Sequence, residues 1–414
     1  MKLLHFADAH IDMANYGRHD PESGLPLRVL DFLKSLDTIV DAAISQKVDL
    51  VIFAGDAYKD RAPAPTFQRE WGKRIMRLSQ AQIPTLLLVG NHDMSPATRR
   101  AHAIQEFETL QVPYVRVLSK IQFLGPDDLW GMPLQVIALP WISRSTFMAD
   151  YEIVNSQDVS KEVYGALQDR VEERIMELIE QSDSSLPLIL TAHASIEGAK
   201  FGGERLVMLG SDFVLSGSLV KNTRFSYVAM GHIHKPQDVN HGQYPPVIYP
   251  GSIERIDFGE ANEERCYVLA DIEKGRETSF NFVPIQGTRP FVEKWVLLES
   301  SENITEYLKS QLPAKLSGAI VKFVVQYPRE WDALIDEAYI RKCADATFEF
   351  HFIKKPIHAK RVRIDKDQVV SSLSSIDLLD QYWKSVHAED RNINLDDLQA
   401  LAREIMAGDE ETDS

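Results

Sequence analysis

Thr85-Leu-Leu-Leu-Val-Gly-Asn-His-Asp93 is a short apolar run that stops at a glycine and a knot of polar groups. The same phrase occurs four more times. Residues 3–7 lead into Asp8-Ala-His10, residues 50–54 into Gly55-Asp56, residues 188–191 towards His193, and residues 227–230 into Gly231-His-Ile-His234. Apolar runs this short and this continuous read as strands buried on both faces. Between them the period changes. Val29, Leu33, Leu36, Ile39, Val40 and Ala43 form one helical stripe, and Val163, Leu167, Val171, Ile175 and Leu178 form another. Strands alternating with amphipathic helices predict an α/β layered fold up to about residue 285.

In such sheets ligands bind where the strands end, so side chains far apart in sequence can meet on one edge. The five clusters therefore predict one site. It would hold Asp8, Asp56, Asn91 and the four histidines His10, His193, His232 and His234, with His92 and Asp93 beside them. Each piece alone is weak, because a single histidine near a strand is ordinarily a hydrogen-bonded core residue. Five in order are another matter. Burying that many titratable groups without a cation would be costly. A set of carboxylate, amide and imidazole donors with no thiolate suits manganese, iron or zinc.

Composition narrows the class. The chain has 414 residues, 44% hydrophobic and 26% charged, as in an ordinary globular protein too long for one core. No apolar run reaches the length of a bilayer span, and His5 and Asp8 interrupt the N-terminal apolar stretch, so we expect a cytoplasmic protein with no membrane partner. Cys266 and Cys343 lack metal-ligand spacing and form no disulfide framework. The formal net charge of −16 speaks against nucleic acid held by diffuse positive charge, although bound cations are missing from such a count.

After the turn-like Glu273-Lys-Gly-Arg276, the chain reaches Gly287-Thr-Arg-Pro290, where a boundary is expected. Beyond it we read a strand (291–298), a helix (304–312), a strand (319–326), a helix (331–344) and a strand (347–352), a small α+β unit. The expected division is 1–285, 286–353, a basic linker 354–370 containing Lys354, Lys355, Lys360, Arg361 and Arg363, a helical segment 371–408 and an acidic tail 409–414. Within 371–408, Leu378, Leu379, Tyr382, Trp383 and Val386 line one helical face, and Leu398, Leu401, Ile405 and Met406 line a second. These faces either pack on the α+β unit or dock a partner.

Taken together, the five clusters resemble the five motifs of the calcineurin-like metallophosphoesterases. The segment Tyr249-Pro-Gly-Ser-Ile-Glu-Arg-Ile-Asp-Phe-Gly-Glu260 is similar to the one that follows the last motif in SbcD-type DNA repair nucleases of the MRE family. The resemblance implies a four-layer αββα sandwich with a small α+β capping domain and C-terminal helices. It implies two divalent metal ions, manganese first among them. One would be held by Asp8, His10, Asp56 and His234, the other by Asp56, Asn91, His193 and His232, with Asp56 between. It assigns His92 as general acid to the leaving oxygen of a DNA phosphodiester. It also implies an SbcC-like coiled-coil ATPase bound through the C-terminal helices, and a homodimer is a further expectation. One position departs from the pattern: relatives often carry a histidine or aspartate three residues after the motif aspartate, and here it is Lys59. Lys59, Asp60 and Asp93 are therefore candidates to touch the phosphate or to hold the residues that do. An enzyme for small phosphodiesters or phosphoproteins, and a non-catalytic DNA end-binding scaffold, stand as alternatives.

Overall fold

A computed structural model describes residues 1–16, 18–95, 100–142, 161–202, 214–314, 316–357 and 400–401. Two six-stranded sheets make up most of it. In the first, β1 (Lys2–Phe6), β2 (Leu50–Phe53), β3 (Thr85–Leu88) and β4 (Val115–Leu118) run parallel, and the hairpin β13 (Cys266–Asp271) and β14 (Ser279–Pro284) joins antiparallel at β1. The order is β14-β13-β1-β2-β3-β4. The second sheet has a parallel core of β6 (Gln135–Leu139), β7 (Leu188–His193), β10 (Tyr227–Gly231) and β12 (Val247–Tyr249), with β5 (Gln122–Leu124) and β11 (Gln237–Asp238) antiparallel at its edges. A short pair, β8 (Ser195–Ile196) and β9 (Val214–Leu215), lies outside both.

Alternation along each strand builds the layers. Leu4 and Phe6 of β1, with Val51 and Phe53 of β2, face the helices Leu27–Ser45 and Pro65–Gln80 in one core. Leu3, Leu50 and Ile52 point the other way, into a seam shared with Val136, Ile189, Ala229 and Ile248 of the second sheet. Leu188, Leu190 and Val228 face outward again, onto Val171, Ile175 and Leu178 of the helix Lys161–Gln181. Three apolar clusters between four layers are the αββα sandwich. Each fully buried aliphatic side chain contributes about 1.5–3 kcal/mol, so the seam alone fixes how the two sheets face.

The five expected strands are β1, β2, β3, β7 and β10, and both expected helical stripes are buried where their side chains are described. By contacts the chain forms two units. The first is Met1–Lys294 with Leu312–Phe323 and Cys343–His351, and the second is Trp295–Gln311, Val324–Lys342 and the chain from Phe352. A further sheet has three strands in the order β15 (Phe291–Leu297), β16 (Ile320–Pro328) and β17 (Glu349–Ile357). In the first unit Phe291, Ile320 and Phe348 cluster with Leu27 and Phe258.

Two expectations for this region are corrected. The helix expected over 331–344 is a 3-10 turn, Arg329–Leu334, and a separate helix, Glu337–Cys343. Ile335 is extended, and the carboxylate of Asp336 accepts the Tyr339 amide at 2.9 Å, capping a new helix. Lys354–Ile357, expected to open the basic linker, continue β17. Pro356 is tolerated because β17 is an edge strand, Lys354 pairs with Asp332 at 3.1 Å, and Lys355 sits 4.4 Å over the Trp295 ring. The rest of the linker, the helical segment except Ala400 and Leu401, and the acidic tail lie outside the described residues.

Candidate metal centre

Turns tight enough to aim side chains from adjacent strand ends at one point need backbone that most residues avoid. Asp8, His10, Asp56 and His232 all have positive φ, at 51°, 40°, 65° and 97°. Such conformations cost about 1–3 kcal/mol each and persist where the surroundings over-determine them. Two glycines make room. A Cβ on Gly55, whose φ is +100°, would lie 2.3 Å from His193 Nδ1, and one on Gly90 would lie 2.1 Å from Asp56 Oδ1.

The seven expected ligands converge and are contiguous. Asp8, His10, Asp56, His193, His232 and His234 are buried, and Asn91 is half-buried. Ligand atoms of Asp8, His10 and His234 lie within 4.8 Å of one another, as do those of Asp8, Asp56 and His193. Asp56 Oδ2 is 3.4 Å from His193 Nε2 and 3.8 Å from His10 Nε2, so one oxygen faces both groups. Asn91 Oδ1 lies 2.9 Å from His193 Nε2 and 3.0 Å from His232 Nδ1. The His232 amide donates to both Asp8 oxygens at 3.1 Å.

The outer nitrogens of these rings decide what the inner ones can do. A carbonyl or an ionised carboxylate can only accept, so the nitrogen facing it carries the proton. His10 Nδ1 donates to Tyr58 O at 3.1 Å, His193 Nδ1 to Ala54 O at 2.7 Å, and His234 Nδ1 to Glu260 Oε1 at 2.8 Å. That leaves Nε2 of each neutral ring as a lone pair aimed inward. His10 Nε2 and His234 Nε2 face each other at 3.2 Å, and His193 Nε2 faces the oxygens of Asn91 and Asp56. Acceptors converging on acceptors require positive charge between them. The donor set thus fits divalent cations, held by the histidine tautomer that ligation needs.

The electrostatics agree. Burial pushes the Asp8 carboxyl up to about 7 and His10 well below the usual imidazole range. Burial also pulls His193 down, but the Asp56 carboxylate more than reverses this and raises it to about 9.

His92 stands beside the cluster rather than in it. It is half-buried, its ring edge-on to His10 with centroids 5.2 Å apart, and its amide donates to Asp56 Oδ1 at 2.8 Å. Its Nδ1 donates to the main-chain carbonyl of Lys59 at 2.8 Å, and Lys59 Nζ is 3.5 Å from its Nε2. The support expected from a side chain at this position is thus a backbone carbonyl. Asp60 does not swing in: it is exposed, and its carboxylate accepts the Ala62 amide at 3.0 Å. Asp93 is buried and accepts the amides of Asp56, Ala57 and Gly90, each at 2.9 Å, so it ties two strand-end loops together.

Sequence reasoning passed over four contributors. Glu260 and Arg265 are buried behind His234 and paired at 3.1 Å, and Arg265 also donates to the His234 carbonyl. Asp12 accepts the Lys59 and Asp60 amides and so shapes the loop that holds His92. Trp141 covers His232 with ring centroids 4.9 Å apart. Only Glu260 left a trace, as the last residue of the selective segment.

Comparison with known proteins follows the same lines. The model of the family described as calcineurin-like phosphoesterase matches residues 1–236, more than half of the chain. A DNA double-strand break repair protein Mre11 from Archaeoglobus fulgidus is 27% identical over 300 residues, which span 71% of this chain and 59% of that one. The SbcD component of the nuclease SbcCD of Staphylococcus epidermidis is 28% identical over 70% of this chain and 71% of its own. Its namesake in Staphylococcus saprophyticus is 22% identical over 95% of each.

Proposed function

The chain belongs to the calcineurin-like phosphoesterase family, and from that premise we propose that it is a metal-dependent nuclease that hydrolyses DNA phosphodiesters. The observation that carries the reading is the convergence of acceptor nitrogens and carboxylate oxygens on one strand-end pocket with His92 at its side. The relatives named as nucleases support the substrate.

Asp8, His10, Asp56 and His234 would hold one cation, and Asp56, Asn91, His193 and His232 the other, with manganese as the ion. Two such ions, when bound, supply Lewis acidity that makes water a better nucleophile and offsets charge on both attacking and leaving oxygens. The side chains do the rest. Glu260 and the Ala54 and Tyr58 carbonyls keep three imidazoles in the ligating tautomer. His92, with Nδ1 fixed on the Lys59 carbonyl, points Nε2 at the reacting group and gives a proton to the leaving oxygen. Asp93 keeps the loops bearing Asp56 and His92 in register.

The test is the purified protein on labelled DNA with manganese, run beside bis(p-nitrophenyl) phosphate. Cleavage of both substrates is expected, and hydrolysis of the diester with intact DNA would make this a small-diester enzyme. We assign catalysis to residues 1–285 in the cytoplasm and capping to 286–353. Two relatives are named as one component of a nuclease, which supports a partner protein. We take it to be an SbcC-like coiled-coil ATPase docked on residues 371–408, with a second copy of this chain in the assembly. Truncation at Asp367 should then abolish co-purification with the ATPase and leave basal cutting; undiminished binding would refute the docking site.

A further inference from the structure

Lys59 stands three residues after Asp56, on the loop whose carbonyl meets His92, and its surroundings separate what its backbone does from what its side chain can do. The backbone part is structural. Its amide is held by Asp12, and its carbonyl fixes His92 Nδ1 at 2.8 Å. Any residue other than proline supplies both groups, so neither asks for lysine. The side chain is exposed, and among the described residues no ion pair takes up its charge. Its ammonium lies 3.5 Å from His92 Nε2. On a chain with a formal net charge of −16, Lys59 sets a positive charge beside the ligand cluster, where it favours an approaching anion.

We propose that Lys59 Nζ grips a non-bridging oxygen of the phosphate undergoing hydrolysis, alongside His92. This inference rests on the phosphodiesterase reading above and adds a substrate contact that the metal ligands do not provide. The geometry fits. Nζ and Nε2 are two nitrogens 3.5 Å apart at one side of the ligand cluster, a spacing that lets both reach oxygens of a single tetrahedral phosphate. An ammonium suits the task because it is a compact point charge with three rotatable donors, and Asp12 restrains the loop that carries it.

The experiment compares Lys59→Met and Lys59→Arg with the parent on two substrates, labelled DNA and bis(p-nitrophenyl) phosphate. The small diester offers only the reacting phosphate. Loss of a charge-assisted contact should lower kcat/KM about 10- to 100-fold. The proposal requires that loss on both substrates for Lys59→Met, recovery of most of it in Lys59→Arg, and unchanged metal content in both variants. Unchanged diester hydrolysis by Lys59→Met would overturn it, whether DNA cutting also survives or alone declines, since the latter would place Lys59 on a neighbouring phosphate. A drop in bound metal would overturn it too. If the parent protein hydrolyses the diester and never cuts DNA, the nuclease reading fails while the diester arm still judges Lys59.

Discussion

His5 and His10 are five residues apart, both fully buried, and yet they represent two different uses of the same side chain. His5 lies in the seam between the sheets. Its Nε2 faces the Met230 carbonyl at 3.2 Å and its Nδ1 faces the Tyr227 hydroxyl at 3.1 Å, so a neutral ring donates once, accepts once and is complete. His10 lies at the rim. One nitrogen is satisfied by Tyr58 O and the other faces a second acceptor, His234 Nε2. Burial does not distinguish a structural histidine from a ligand. What distinguishes them is whether both ring nitrogens close on protein partners of the right kind.

The rim is broken most completely at Asp56, whose Oδ2 faces both groups of histidines. Asp56→Asn should reduce bound metal below one ion per chain by elemental analysis, and two tightly held ions would refute the shared-ligand assignment. Next comes His92, at the rim but outside the ligand cluster. His92→Ser should lower turnover about 10²- to 10⁴-fold with metal content and DNA binding preserved; cutting at the parent rate would move the acid elsewhere.

Smaller again is Glu260→Gln, which keeps an oxygen for His234 Nδ1 and removes the charge behind it. Partners of this kind are worth about 10- to 100-fold in metal affinity, read by calorimetric titration. An unchanged affinity would reduce Glu260 to a partner of Arg265. The least effect on the site belongs to the seam. His5→Leu should leave two metals bound and cost about 1–3 kcal/mol in chemical denaturation for each partner it strands on Tyr227 and Met230. Burial drives the His5 pKa from 6.5 down to about 3. The unfolded chain therefore takes up a proton that the folded one refuses, and this contribution to stability, full above pH 6.5, drains away as pH falls towards 3. In His5→Leu that part of the acid sensitivity should disappear, whereas loss of metal from the variant would mean that seam and rim are not separable.

The parts of this molecule legible in its sequence are those written in side chains with a period. Runs such as Leu50–Phe53 announce a strand buried on both faces, and a polar cluster after each strand announces the edge where they meet. The candidate ligands His193 and Asp56 could be placed because each follows such a run. What holds them could not. The acceptor for His193 is the carbonyl of Ala54 and that for His92 is the carbonyl of Lys59, and a main-chain oxygen has no letter of its own. Asp12 and Arg265 were passed over for a related reason, since their partners come from other loops. The broken helix at Ile335 shows the limit of periodicity, which ran on while Asp336 capped a new start.

One short loop, Ala54 to Lys59, supplies the carbonyls that orient His193, His10 and His92. Alignment of three imidazoles is therefore a property of the length and path of this segment, a path that Gly55 permits, and not of the side chains at the three positions that supply the carbonyls. The exposed side chain of Lys59 takes no part in holding the His92 ring, which frees position 59 to carry a lysine. A single residue inserted or deleted between 54 and 59 has no such latitude: it would turn all three rings together, much as shifting one tooth of a key spoils every cut beyond it.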